Sequence, residues 1–169
     1  MTDRLQSESA LVQFSERLTN SAAFGALFRE GMDLVEETAA YLDGVGRTEA
    51  KALDRSVSLT YATESLRLTT RLMQLASWLL LHRAVKEGEM SLSQANREKT
   101  KVKLSAADPS PEDMLLKLPE QLQVLIARSM TLQNKVRRLD TSIHAAAEPA
   151  PIGIPLMPQL NRLRAAFER

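Results

Sequence analysis

The residues from Tyr61 to Met90, YATESLRLTTRLMQLASWLLLHRAVKEGEM, contain no proline and no glycine before Gly88. Leu, Ala, Met, Arg and Gln dominate them, and all are good helix formers. Their densest apolar part, Leu72 to Leu81, holds the only Trp and is bracketed by Arg71 and His82. That is too short for an ordinary membrane span, which needs roughly 20 apolar residues. The stretch is read as the central helix of a soluble bundle, around which the rest of the chain must pack.

The helix is expected to start at Thr48 as N-cap and to run to about Glu87, stopping at Gly88. About 38 residues at 1.5 Å each make a rod of ~57 Å. Its apolar positions fall into two stripes on nearly opposite sides. One is Val57, Tyr61, Leu68, Leu72, Leu75 and Leu79; the other is Leu66, Met73, Ala76 and Leu80. Cover on more than one face is required, from two flanking helices or from one helix and a second subunit. Between them runs a polar row: Glu64, Arg67, Arg71, Gln74, Trp78 and His82. Trp78 lies within about 40° of Arg67, Arg71 and Gln74 on the helical wheel. It is either roofed by a following segment or a partner-binding anchor, since Trp and Arg dominate interface hot spots.

A second helix, from Ser21 to Asp43, precedes this one. Phe24, Phe28, Gly31, Val35, Thr38 and Leu42 recur at spacings of four and three, with Leu27, Leu34 and Tyr41 widening the stripe. Glu30 to Asp43 holds five acids and no base. These acids form a solvated face or a docking face for something basic. Asp43-Gly44-Val45-Gly46 ends the helix, with Gly44 suited to the left-handed position.

A third long helix opens at Pro119. Leu118, Leu122, Leu125, Ser129, Leu132, Val136, Leu139 and Ile143 alternate spacings of four and three without a miss. That is a heptad seam, for partners in the same chain or in a dimer. Arg128, Lys135, Arg137 and Arg138 make its flanks basic, complementary to the acidic first helix. Between the second and third long helices, Ser91 or Ser93 can cap a short basic helix through SQANREKTKV. Residues 105–111, SAADPSP, read as a linker, with Ser110 as an N-cap and Pro111 at the first helical position.

Domain boundaries follow: a largely flexible segment over 1–20, a helical bundle over 21–147, and a Pro-rich tail over 148–169. The stretch EPAPIGIPLMP carries four of the seven prolines and excludes helix or sheet interior. Beyond it, Leu160, Leu163 and Phe167 stand at i, i+3 and i+7, a short amphipathic segment on a leash. Such a segment serves as a docking peptide or folds back onto its own bundle.

Several function classes drop out. With no cysteine there is no disulfide, thiolate catalysis or Cys-ligated zinc, which fits a reducing cytoplasm. His82 and His144 are the only histidines and stand in different helices, with no HExxH, calcium loop or GxSxG elbow near them. His82 is read as a helix-end residue favoured by the dipole. No glycine-rich phosphate loop occurs. Residues 1–90 carry −3 and residues 91–169 carry +4, a split that suits internal pairing first. Aromatics at 4% argue against a base-stacking nucleic-acid binder. No catalytic residue, metal or cofactor is expected.

The runs LFREGMDLVEETAAYLDGVGR and YATESLRLTTRLMQLASWLLLHRAVKEGEMS resemble the regulator of CtrA degradation family, RcdA, of bacterial cell-cycle control. The resemblance covers roughly residues 14–145 and rests on length of match, not on catalytic motifs. It implies a three-helix bundle that can dimerise and acts as a proteolytic adaptor in the cytoplasm, with recruitment to a cell pole an option. The partners it implies are the ClpXP protease with CpdR-like and PopA-like adaptors, and a CtrA-like response regulator as cargo. It supplies no contact residues to carry over. The candidate docking residues are therefore physical ones: Arg67, Arg71, Gln74 and Trp78, and in the tail Leu160, Leu163 and Phe167. The alternative is a structural homodimer with no delivery role.

Overall fold

The structure, a computed structural model, describes residues 22–101 and 110–147. Expectations for residues 1–20 and for the tail, with Leu160, Leu163 and Phe167, fall outside them. All regular elements among the described residues are helices: α1 (Ala22–Asp43), α2 (Val45–Lys51), α3 (Arg55–Lys86), α4 (Leu92–Lys101), α5 (Glu112–Leu115) and α6 (Glu120–Ala147). The expected all-α bundle is found: α1, α3 and α6 pack on one another, and α4 and α5 lie against α3.

The α6 seam is the spine of the core. Leu118, Leu122, Leu125, Ser129, Leu132, Val136 and Ile143 are all buried, and Leu139 packs at the edge. Each such aliphatic side chain contributes about 1.5–3 kcal/mol on burial. The seam meets α1 through Leu27, Leu34 and Tyr41 and α3 through Leu68, Leu72, Leu75 and Leu79. At Gly31 a side chain would run into Leu79 and Leu132, so the absence of a Cβ lets the three helices close together.

Ion pairs fix the register. Lys135 reaches Glu30 at 2.9 Å and Arg128 reaches Glu37 at 2.6 Å, so α1 and α6 run antiparallel. The basic partner of these α1 acids is a helix of the same chain. Both pairs are half exposed and stabilise by ~1 kcal/mol or less. Arg71 donates to Ser129 and Trp78 to Asp140, which sets α3 and α6 parallel. A parallel pair needs a crossover, and α4 and α5 supply it.

Four local expectations are corrected. The central helix does not begin at Thr48. It breaks after Lys51, and Asp54, with φ −60° and ψ 155°, starts α3 anew without a side-chain cap bond. The break separates two anchored pieces: Glu49 of α2 accepts a 2.6 Å bond from Tyr41, and Leu53 turns onto the core. Gly44 is not left-handed, because its φ is −110° and α2 follows at once. Gly46 is the constrained one: a Cβ there would stand 2.7 Å from the Tyr41 carbonyl and 2.7 Å from the Tyr61 hydroxyl. Ser110 does not cap α5; Pro111 holds that place, and the Ser110 hydroxyl is spent on Glu64. His82 is not at an exposed helix end but fully buried.

Other signals read directly. Gly88 has φ 76° and closes α3 in a Schellman pattern, with its own N–H on Val85 and that of Glu89 on Ala84. Ser91 caps α4 in a reciprocal box, its hydroxyl accepting from the Gln94 N–H and the Gln94 side chain accepting from the Ser91 N–H.

Candidate docking surfaces

The two stripes of α3 have different fates. Val57, Leu68, Leu72, Leu75 and Leu79 are core, with Tyr61 half-buried beside them. Leu66, Met73 and Leu80 face outward at 68%, 66% and 52% exposure, and Leu59 joins them at 71%. These four stand seven residues apart, which keeps them on one line along the helix. Between them come Ala62, Thr69, Thr70, Ala76 and Ser77, small and uncharged. No neighbouring helix among the described residues covers this line.

Beside the line, α1 and α3 leave an apolar cavity of about 160 Å³. Val35, Thr38 and Leu42 form its α1 wall, and Thr69, Met73 and Ala76 its α3 wall. Met73 belongs to both, so the exposed line and the cavity form one surface. The Thr38 hydroxyl is buried there without a hydrogen-bond partner. An unsatisfied buried hydroxyl costs on the order of 1–3 kcal/mol.

The polar row of α3 faces the crossover. Trp78 is 3% exposed. Its ring stacks on His82 at 3.9 Å and sits 6.4 Å from the Phe24 ring, while its N–H donates to Asp140 at 2.9 Å. Lys99 of α4 closes on the same carboxylate at 2.6 Å. Of the two roles expected for Trp78, the roofed one is found, and the indole is not an exposed anchor in this structure. The signal that could have found it is Asp140 on a seam helix, but that residue is 62 positions away.

The rest of the row is also tied inward. Glu64 is buried and accepts bonds from Arg67 at 2.6 Å and from the Ser110 hydroxyl at 2.5 Å. Burial alone would push its carboxyl up. The bonds from Ser110 and Arg67, with the Arg67 charge, outweigh that and hold it below the ordinary carboxyl range. Arg71 is half-buried and donates to the Ser129 hydroxyl at 2.8 Å. Burial lowers its affinity for the proton; Glu64 counters this, and Arg67 and Arg137 add to it. Gln74 is half-buried next to them. Arg67, Arg71, Gln74 and Trp78 thus share one side of α3, as expected, but as a partly internal network and not as an open patch.

No group of three or more His, Asp or Glu residues suited to a metal occurs among the described residues. No helix among them is long and apolar enough to cross a membrane.

The comparisons with known proteins agree with this architecture. The family model described as "Protein of unknown function (DUF1465)" matches residues 15–167. Among solved structures, RcdA from Caulobacter crescentus CB15 is 48% identical, with 76% of this chain and 96% of that chain covered and a TM-score of 0.62. No curated protein matches.

Proposed function

Because this chain belongs to the DUF1465 family, the family of RcdA, we propose that it regulates cell-cycle-linked protein degradation by holding other proteins. In this reading it tethers a CtrA-like response regulator, or a further PopA-like adaptor, to a ClpXP protease primed by a CpdR-like protein. It works in the cytoplasm. The observation that carries the reading is the uncovered line Leu59, Leu66, Met73 and Leu80, joined to the cavity at Met73. Four large apolar side chains on one side of a helix reward a partner helix that covers them. Leu160, Leu163 and Phe167 supply a second contact in this scheme, and linked weak contacts reach millimolar effective concentrations over short linkers.

The test is a reconstituted degradation assay with ClpXP, a CpdR-like adaptor and a CtrA-like substrate. The wild-type chain accelerates turnover at substrate concentrations below saturation. A Leu66→Glu, Met73→Glu double variant loses most of that acceleration while its thermal melt stays within a few degrees. Equal acceleration by the two proteins removes the α3 face from the mechanism, and no acceleration by either removes the adaptor reading.

The seven-residue spacing also favours a second reading, self-association of two copies through α3, as in a scaffold homodimer. Sedimentation over a concentration series separates the readings. If the face serves only self-association, the same double variant becomes monomeric and substrate turnover is unchanged.

A further inference from the structure

We propose that in the free protein the C-terminal segment Gln159–Arg169 lies in the α1–α3 groove of its own chain, with the Phe167 ring in the cavity beneath Met73. This rests on the reading of that face as a docking surface and names what occupies it before a partner does.

Size is the first argument. A cavity of about 160 Å³ walled by Val35, Leu42, Met73 and Ala76 matches the ~150 Å³ apolar hole that takes one benzene ring. Phe167 is the one aromatic residue after Trp78 in the chain. Leu163 and Leu160, one and two turns earlier on the same helical face, would cover the exposed line.

Reach is the second. The Glu30–Lys135 and Glu37–Arg128 pairs place the cavity level with the Arg128 region of α6. That is about 30 Å back from Ala147 along the bundle at 1.5 Å per residue. Residues 148–158 hold four prolines, and at ~3.1 Å per residue in an extended Pro-rich form they span about 34 Å. The leash therefore delivers Gln159 to the groove and not far past it.

Charge is the third. Glu36 and Asp43 directly follow the groove residues Val35 and Leu42 and so stand on its outer rim. Both are exposed and make no ion pair among the described residues, whereas Glu30 and Glu37, round the helix, are paired with α6. The segment 159–169 carries Arg162, Arg164 and Arg169 against Glu168, a net +2. The other stretch available, residues 1–21 with Phe14, carries a net −1 and would be repelled by the same rim.

A seated segment hides the α3 line and its own Leu160, Leu163 and Phe167 together. Release by a partner exposes both contacts in one step.

The chain has no cysteine, so a single Glu168→Cys substitution gives one nitroxide site in the full-length protein. Methyl NMR then reads the contact. The expected result is strong broadening of the Val35, Leu42 and Met73 methyls and none of Val124 and Met130 on exposed α6. Adding Leu163→Glu and Phe167→Glu abolishes it. The proposal is overturned if the groove methyls stay sharp. It is also overturned if broadening passes to an unlabelled copy in a mixed sample, which marks a second chain as occupant, or if Phe14→Glu releases the groove instead. The docking-surface reading fails separately, as unchanged substrate turnover by the Leu66→Glu, Met73→Glu variant.

Discussion

Replacing Trp78 with Ala discriminates most sharply between the two roles that its position on the polar row allowed. The ring is fully enclosed between Phe24, His82 and the α6 side chain Asp140. Emptying such a site costs the transfer free energy of the ring and a residual cavity, about 3–5 kcal/mol together. The hydrogen bond adds little, since Asp140 keeps Lys99 as a partner and is not stranded. In a chain of this length each kcal/mol moves the midpoint by roughly 2–4 °C, so Trp78→Ala should lower Tm by about 6–20 °C. Trp78→Phe keeps most of the packing and loses only the indole bond, so it should cost clearly less than Trp78→Ala. Melts followed by far-UV circular dichroism read both variants without using the lost fluorophore. A Trp78→Ala protein that melts within 2 °C of wild type but fails to hold its partner would refute the enclosed-ring account and restore the exposed anchor.

Gly46→Ala should destabilise by about 1–3 kcal/mol, because the new methyl meets the Tyr41 carbonyl and the Tyr61 hydroxyl and α2 must move away from α1; urea melts give the size. Glu64 should make stability depend on acidity: its carboxyl titrates below the unfolded value, so its contribution is complete above the usual Glu range and is lost as pH falls through the lowered one. Glu64→Gln should therefore be less stable near neutrality and show a flatter stability profile between about pH 5 and 3, measured by urea midpoints at each pH.

The features that rest on spacing within one helix were legible. The unbroken seam from Leu118 to Ile143 identified the buried side of α6, and the first stripe of α3 is core, whereas the second, expected to be covered by a further helix or a second subunit, faces outward among the described residues. Gly88 and Ser91 marked their boundaries because a positive φ and a capping box are local events. What failed was non-local. Glu64 and Trp78 look wet on a helical wheel, yet Ser110 and Asp140, brought in from 46 and 62 residues away, satisfy their polar atoms and let them be buried. The break at Asp54 was missed because Thr48 and Asp54 offer equally good starts locally, and the Tyr41–Glu49 bond decides between them.

The contacts around Trp78 have a mechanical consequence. Phe24, two residues into the described chain, and Asp140, near its end, both meet that one indole. The first and last helices therefore leave the bundle at the same pole, and tension between the two ends opens them like a zipper, one turn at a time, instead of sliding them past each other along their full length. The cluster of Phe24, Trp78, His82, Lys99 and Asp140 sits at the fork where that opening must begin. It acts as the clasp that sets the force at which the bundle starts to come apart.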